Sequence, residues 1–269
     1  MYREYPGVFD VPPDEAKLWR YMNLERFIWM LKEKKLYFWR IAELSGDPYE
    51  GTAPRKLIEA ANARPDGQAE KLGYGIAGKF AAINCWHKNE HESVAMWKLY
   101  SSWSEGVAIQ TTVSKLKRID ERADYVIGRV RYLDYEKEEP PPVPPGDQYL
   151  KPWRLLFQKR RSYAHEQEVR AVIMTPADLP YERQIPHERV SWRTGFGVSA
   201  DLPSLIERIV ASPEYPSWAI AALQQVVRES GLTIQIEESD LLKPPNRECE
   251  EALQELLRSM KAGTKAPSS

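Results

Sequence analysis

The stretch Lys159-Arg-Arg-Ser-Tyr-Ala-His-Glu-Gln-Glu-Val-Arg170, followed by Ala-Val-Ile-Met174, predicts a strand that begins at Glu166. Successive side chains of a strand point to opposite faces, so Glu166, Glu168 and Arg170 would share one face. The opposite face would be apolar and carry Val169, Ala171 and Ile173. The strand would therefore run from a solvent-exposed end, which carries two carboxylates and a guanidinium on one face, into the protein interior. This arrangement predicts that the charged face forms the wall of a cleft.

Paired carboxylates beside an arginine suit a reaction in which positive charge develops. A carboxylate can stabilise an oxocarbenium ion or accept the proton of a nucleophile. The neighbouring Arg170 would keep at least one of the two carboxylates ionised. The alternative is a solvated strand face whose ion pair contributes well under about 1 kcal/mol. The spacing alone leaves both interpretations open.

Outward from this strand, the hydrophobic pattern predicts an α+β fold with a mixed, mostly antiparallel sheet flanked by helices. Asn23 precedes a helix in which Leu24, Phe27, Ile28 and Leu31 recur at helical spacing. Further helices are predicted over residues 54–68, 92–101, 151–158, 218–229 and 247–260, and further strands over 35–41, 81–86, 107–110, 124–135, 189–198, 206–211 and 232–236. The proline-rich residues 139–146 predict a stiff surface loop, with a ligand for a proline-binding module as the alternative.

The composition is that of an ordinary globular protein, with 269 residues, 42% hydrophobic and 29% charged. Because 38 Lys+Arg balance 39 Asp+Glu, a nucleic acid or nucleotide would have to be bound by a local cluster of charge. Two cysteines argue against a disulfide scaffold, and no apolar stretch would span a bilayer. We therefore expect a cytoplasmic protein with no membrane partner. Residues 1–242 are predicted as a single domain, 243–261 as a C-terminal helix and 262–269 as a disordered tail.

Several cations precede the predicted strand, with no acidic residue between positions 151 and 161: Lys151, Arg154, Lys159, Arg160 and Arg161. Such a run can hold phosphate, which arginine binds bidentately, although many such runs are only solvated faces. Trp97 and Tyr100 lie three residues apart on a predicted helix. Either ring could stack on a base or a nicotinamide, although aromatic residues at this spacing are more often core residues.

A metal site is the remaining local possibility. Cys85, His87 and His91 include two histidines four residues apart, which can share an ion when both lie on one helix. There is no His-Glu-x-x-His pattern and no second cysteine pair. We expect no metal.

The chain contains several short motifs in a characteristic order. They are Leu18-Trp-Arg-Tyr21, Lys35-Leu-Tyr-Phe38, Gly46-Asp-Pro-Tyr-Glu50, Met96-Trp-Lys-Leu-Tyr100, Glu105-Gly-Val-Ala-Ile109, His165-Glu-Gln-Glu-Val-Arg170, Ile209-Val-Ala-Ser-Pro213 and Ile236-Glu-Glu-Ser239. In order and spacing they resemble the bacterial domain-of-unknown-function family 2971 over roughly residues 17–242. One motif departs, since Phe-Asn-Asp-Pro-Phe-Glu of the family corresponds here to Leu44-Ser-Gly-Asp-Pro-Tyr-Glu50. The family name implies no activity.

A basic or aromatic motif on an early strand, a helix leading into a second strand and a later strand that opens with Glu-x-Glu are together similar to ADP-ribosyltransferase folds. Some of those enzymes modify DNA. The resemblance implies that Glu168 stabilises the ribosyl cation as the nicotinamide N-glycosidic bond of NAD breaks, and that Glu166 orients the acceptor. It also implies that Arg20 or Tyr21 anchors the nucleotide and that Trp97 or Tyr100 lines the base pocket. The chain lacks the Ser-Thr-Ser strand of those enzymes.

Three functions follow as hypotheses. The first is NAD-dependent ADP-ribosyl transfer, with NAD as co-substrate and nucleic acid as a candidate acceptor, in a phage-defence or toxin setting that the resemblance implies. The second is a DNA glycosylase that excises a base from phage DNA, because flipped-base pockets also combine aromatic stacking, a carboxylate and phosphate-binding cations. The third is a non-catalytic nucleotide- or nucleic-acid-binding module that uses Lys159, Arg160, Arg161 and Trp97.

Overall fold

The computed structural model describes residues 1–44, 46–119, 124–174, 194–243 and 247–263. The strands are β1 Lys17–Asn23, β2 Lys35–Arg40, β3 Ala81–Lys88, β4 Gly106–Thr112, β5 Val126–Arg129, β6 Arg131–Leu133, β7 Gln158–Arg160, β8 Glu168–Met174, β9 Gly195–Ser199, β10 Arg208–Ala211 and β11 Ile236–Glu238. The helices are α1 Leu24–Glu33, α2 Arg55–Asn62, α3 Gly67–Phe80, α4 Val94–Tyr100, α5 Val113–Leu116, α6 Leu202–Leu205, α7 Ser217–Glu229 and α8 Arg247–Gly263. Short 3₁₀ helices span Ile41–Glu43, Pro145–Leu150, Pro152–Phe157 and Arg161–Glu166.

In this part of the chain, nine strands form one sheet and β6 and β7 form a separate parallel pair. The main path of the sheet is β11-β10-β4-β1-β3-β2-β9, and β8 and β5 join it through β3. Its pairings are antiparallel, except that β10 and β11 are parallel. The prediction of a mixed fold with a mostly antiparallel sheet flanked by helices is confirmed.

The strand β3 positions the site, because three strands pair with it. One edge of β3 pairs with β8 along its length, from Ala81 opposite Met174 to His87 opposite Glu168. The other edge is shared by two strands, since β1 pairs near His87 and β2 pairs near Ile83. Between these two pairings β1 and β2 separate, with α1 connecting them. The sheet therefore opens beside residues 84–86.

Local sequence explains why β1 and β2 are joined by a helix. The Asn23 side chain accepts a hydrogen bond from the backbone N–H of Arg26 at 3.4 Å and so caps α1. Phe27, Met30 and Leu31 form the buried stripe of the helix. The helix ends at Lys34, whose backbone is left-handed with φ 52°. The predicted cap is confirmed, and Phe27 and Leu31 of the predicted stripe are buried. Leu24 and Ile28 are only partly buried, and Met30 completes the stripe instead.

Strand β8 separates two apolar clusters by alternation. Val169, Ala171 and Ile173 belong to the main core, whereas Val172 packs in a second cluster with Ile83. Glu168 and Arg170 lie on the same face as Val172, as predicted. Glu166 is not part of the strand, because the 3₁₀ helix Arg161–Glu166 ends there and Gln167 adopts φ 40°. Its carboxylate nevertheless lies near that of Glu168, since Lys159 Nζ is within 4 Å of both. The predicted strand start at Glu166 is therefore wrong by two residues, since a left-handed residue breaks the alternation.

Other boundaries also differ from the predictions. Residues 54–68 form α2 and the start of α3 rather than one helix, and residues 124–135 divide into β5 and β6 because the two strands pair with different partners. Residues 152–157 are 3₁₀-helical, and the strand predicted at 232–236 lies at Ile236–Glu238. Residues 189–193, 244–246 and 264–269 lie outside the described residues, and residues 262–263, expected in the tail, are helical. None of the described helices is both long and apolar enough to cross a bilayer.

Candidate functional site

A cleft of about 450 Å³ lies where β1 and β2 separate. Strands β1, β3 and β8 supply its floor and one wall, and α4, β7 and the loop after β2 supply the other walls. A second cavity of about 320 Å³ lies between β1, α1 and β2. Both cavities are lined by Arg20, Tyr21, Arg26 and Trp39, so they adjoin at these residues.

Strand register explains which side chains meet in the cleft. Directly opposed residues of antiparallel strands point to the same face of a sheet. His87 is opposite Glu168 and Cys85 is opposite Arg170, so these four side chains share one face. Trp19 on β1 is opposite His87 and extends this face across β3.

Arg170 is the centre of a buried ion network. Its side chain is 1% exposed, and its Nε and Nη2 donate to Glu168 Oε1 and Oε2, each at 2.9 Å. Its Nη1 donates to Glu50 Oε1 and to the Leu156 carbonyl oxygen, both at 2.6 Å. The guanidinium thus joins two carboxylates that are distant in sequence.

Lys159 links a third carboxylate to the network. Its Nζ lies 2.6 Å from Glu166 Oε2, 3.6 Å from Glu168 Oε2 and 3.8 Å from Glu50 Oε2. The hydroxyl of Tyr100 donates to Glu166 Oε1. Three carboxylates thus face two cations, which leaves one formal negative charge at this end of the cleft.

The network controls the ionisation of its members. Burial by itself would raise the pKa of Glu168, but the charges of Arg170 and Lys159 and the hydrogen bonds from Arg170 outweigh it and lower the pKa to about 2. Glu168 is therefore ionised at neutral pH. Burial and the neighbouring charge of Glu168 raise the pKa of the Cys85 thiol. Cys85 thus stays protonated and is a poor nucleophile or metal ligand.

Arg20 is a further cation that lines the cleft. Its Nη2 donates to the Tyr37 carbonyl oxygen at 3.4 Å, and its guanidinium carbon lies 5.8 Å from the centre of the Trp86 ring. Its Nη1 is buried and has no hydrogen-bond partner among the described atoms. Burial lowers the pKa of Arg20 to about 10, so the side chain is charged at neutral pH. A donor of this kind is available to an anionic ligand.

The structure separates the two aromatic candidates. Tyr100 is 45% exposed and lines the cleft, as expected. Trp97 is fully buried, packs edge-on against Tyr21 and donates from Nε1 to Glu92 at 2.9 Å. Trp97 is not among the residues that line this cleft, and its role in a base pocket stays a prediction. Tyr21 does line it and is held by a hydrogen bond from the Ser93 N–H at 2.8 Å.

The basic run does not form a common phosphate surface. Of its five cations only Lys159 lines the cleft. Arg160 pairs with Asp47 at 2.8 Å and lies over the Tyr49 ring, while Arg161 pairs with Glu138 on the surface. Because 3₁₀ helices on both sides of β7 turn the chain, successive cations point in different directions. Arg160 and Arg161 therefore do not line the cleft with Lys159, and their role in binding substrate stays a prediction.

Sequence reasoning missed Glu50 and gave His87 only a possible metal role. Glu50 ends a motif noted only for its resemblance to a family, and nothing local relates it to Arg170. His87 lies one residue beyond the strand predicted over 81–86. It could have been found only if that strand were extended, since Cys85 and His87 would then share one face. His91 is exposed in the loop after β3. Within the described ranges, no group of three or more His, Cys, Asp or Glu side chains is arranged to hold a metal ion.

The likeness to the domain-of-unknown-function family 2971 and to ADP-ribosyltransferase folds rests on the motifs alone and stays a prediction. In comparisons with known proteins, no family model matches this chain, and no curated protein is similar enough to count as a relative.

Proposed function

We propose that this protein is an enzyme that cleaves the N-glycosidic bond of NAD in the cleft and transfers the ADP-ribosyl group, with nucleic acid as a candidate acceptor. One observation carries the proposal. The buried carboxylate of Glu168, which is ionised, lines the same cleft as a buried guanidinium N–H of Arg20 that has no hydrogen-bond partner among the described residues.

Two groups of side chains in the cleft suit the two parts of a dinucleotide. The unpartnered N–H of Arg20, with the exposed Arg26 beside it over the Trp39 ring, can bind a diphosphate. The cleft and the adjoining cavity both fall within the roughly 300–1,000 Å³ that small-molecule sites occupy. Trp39 and Tyr100 offer aromatic surfaces for a base or a nicotinamide ring.

The carboxylate end suits the bond that breaks. When the bond between C1′ of the ribose and the nicotinamide nitrogen breaks, the electron pair goes to the ring nitrogen. Nicotinamide then leaves as a neutral molecule and needs no proton, while positive charge develops on the ribosyl group. An ionised carboxylate in a water-poor site stabilises that charge more strongly than water does. Glu168 is the carboxylate in this role, and Glu166, held by Lys159 and Tyr100, orients the acceptor.

A binding module without catalysis is the second candidate. The observation in its favour is that both oxygens of Glu168 already accept hydrogen bonds from Arg170. If Arg170 neutralises the charge of Glu168 at every stage, that charge cannot stabilise a ribosyl cation. The cleft would then bind a nucleotide without releasing a product. Excision of a base from DNA also develops positive charge on a sugar and needs the same stabilising carboxylate as NAD cleavage. The two reactions are distinguished by the product, which is a nucleobase or nicotinamide.

The test measures released small molecules by mass spectrometry after the protein is incubated with NAD and with DNA from ordinary and base-modified phage. We expect nicotinamide from the unmutated protein and at least about 100-fold slower release from Glu168→Gln, because charge stabilisation is lost in the transition state. Calorimetry should show NAD affinity almost unchanged in that variant. Glu43→Gln is the matched control, since Glu43 is an exposed carboxylate on the same cleft.

Each other outcome contradicts the proposal. A freed nucleobase with no nicotinamide would identify the protein as a glycosylase of DNA. Binding of NAD without release of any product would identify a binding module. Equal loss of activity in Glu168→Gln and Glu43→Gln would show that Glu168 has no special role.

A further inference from the structure

His87 is a buried side chain on the floor of the cleft whose hydrogen bonding is incomplete. It is 6% exposed and lies opposite Glu168 in the sheet. Its Nδ1 lies 2.6 Å from the backbone oxygen of Glu166. Since a carbonyl oxygen can only accept a hydrogen bond, Nδ1 carries the proton. In the neutral ring, Nε2 then has a free lone pair.

The incomplete hydrogen bonding of His87 is at the second nitrogen of its ring. Nε2 of His87 is buried and has no hydrogen-bond partner among the described atoms. Buried polar atoms without partners are rare in native proteins, and each exception calls for an explanation such as a catalytic role or a missing ligand. A lone pair that borders a ligand-sized cleft can accept a hydrogen bond from whatever occupies the cleft.

The surroundings keep this ring neutral. Burial lowers the pKa of His87 below its ordinary value of 6.5, although the hydrogen bond to Glu166 and the charge of Glu166 oppose the change. The other titratable groups around it are Tyr21 on β1, Lys88 on β3, His165 in the 3₁₀ helix and Glu168 on β8. A base is most useful when it is unprotonated at the working pH.

We infer that Nε2 of His87 accepts the proton of the nucleophile that attacks the ribosyl C1′. This inference rests on the proposed function and adds the base that the function needs. The nucleophile is water or an acceptor hydroxyl group. Its oxygen forms a bond to C1′ as the C1′–nicotinamide bond breaks, its proton moves to Nε2, and the imidazolium later releases that proton to solvent.

The other acceptors of the cleft suit this role less well. The oxygens of Glu168 accept from Arg170, and those of Glu166 accept from Lys159 and Tyr100. Asp47 Oδ2 is also buried and accepts no hydrogen bond from the described part of the chain, but its carboxylate pairs with Arg160. His87, by contrast, is directly opposite the carboxylate proposed to stabilise the ribosyl cation.

The kinetic test compares unmutated protein, His87→Gln and the control Asp47→Asn for nicotinamide release from pH 5 to 9. The unmutated rate should rise to a plateau with an inflection below pH 6.5, where His87 loses its proton. His87→Gln should lower kcat by about 10²–10⁴-fold with KM little changed and should remove the inflection. Added imidazole should restore part of the rate of His87→Ala, and Asp47→Asn should keep both rate and inflection.

Two outcomes separate the failure of this inference from the failure of the proposed function. Unmutated protein that releases no nicotinamide refutes the function. Active protein whose His87→Gln variant keeps the unmutated rate and inflection refutes only the role of His87. ¹⁵N NMR of the unmutated protein gives a readout that needs neither a variant nor activity, because a proton found on Nε2 instead of Nδ1 at pH 7.5 would also overturn the inference.

Discussion

At the residue scale, Arg170 shows why an arginine rather than a lysine occupies the centre of the network. Its three nitrogens are all used, two on Glu168 and one on both Glu50 and the Leu156 carbonyl. A lysine has a single nitrogen and cannot reproduce the paired bonds of a planar guanidinium. Loss of this side chain would leave two buried carboxylates without their main partner.

We predict that Arg170→Met lowers the free energy of unfolding by about 3–5 kcal/mol, because removing one partner of a buried ion pair leaves an uncompensated charge. Urea unfolding followed by circular dichroism measures this. Arg161→Met is the control, since Arg161 pairs with Glu138 on the surface, where such pairs contribute at most about 1 kcal/mol. Equal stability of the two variants would mean that the network contributes little to folding.

At the element scale, the separation of β1 from β2 leaves backbone groups of the sheet without strand partners. The Tyr37 carbonyl oxygen on β2 accepts a hydrogen bond from Asn84 Nδ2 at 2.9 Å and one from Arg20. Asn84 Oδ1 in turn accepts from Trp86 Nε1 at 2.6 Å. Side chains thus replace the missing strand pairing at the point where the cleft begins.

We predict that Asn84→Leu destabilises the protein by about 1–3 kcal/mol, because it removes one partner of a buried carbonyl and, within the described ranges, the acceptor of the buried Trp86 indole N–H. Thermal and urea unfolding measure the change. Asn62→Leu is the matched control, since Asn62 is exposed and should alter stability by less than about 0.5 kcal/mol. An Asn84 variant as stable as the Asn62 variant would contradict this account of the opening.

At the scale of the whole molecule, the ion network makes folding depend on acidity. It joins the loop at Glu50, strand β7 at Lys159, the 3₁₀ helix at Glu166 and strand β8. The pKa of Glu168 is about 2 in the folded protein against an ordinary 4.5. Between these values the unfolded chain binds more protons than the folded one, so stability falls as the pH is lowered.

We predict that the contribution of Glu168 is fully present above pH 4.5 and is lost as the pH falls from 4.5 to 2, by on the order of 3 kcal/mol. Urea unfolding of the unmutated protein and Glu168→Gln across pH 2–7 measures the difference. The variant should be the less stable at pH 7 and should lose less stability in acid. Parallel curves for the two proteins would show that Glu168 does not titrate as the network requires.

Features that depend on neighbours along the chain could be predicted from the sequence. The cap of α1, the burial of Phe27 and Leu31 and the two faces of β8 are examples, because capping and periodicity act within a few residues. The class of fold follows from the same signals. So does the meeting of Glu168 and Arg170, since residues two apart on a strand share a face.

Only the tertiary structure decided which groups complete the site. Glu50 reaches Arg170 from 120 positions away, and His87 meets the Glu166 carbonyl because β3 and β8 pair in one register. Trp97 was excluded from the cleft by packing that no helical periodicity records. Burial, the register of β3 with β8 and the separation of β1 from β2 all depend on residues that are far apart in sequence. They determine that Glu168 is ionised and that His87 Nε2 has no hydrogen-bond partner among the described atoms.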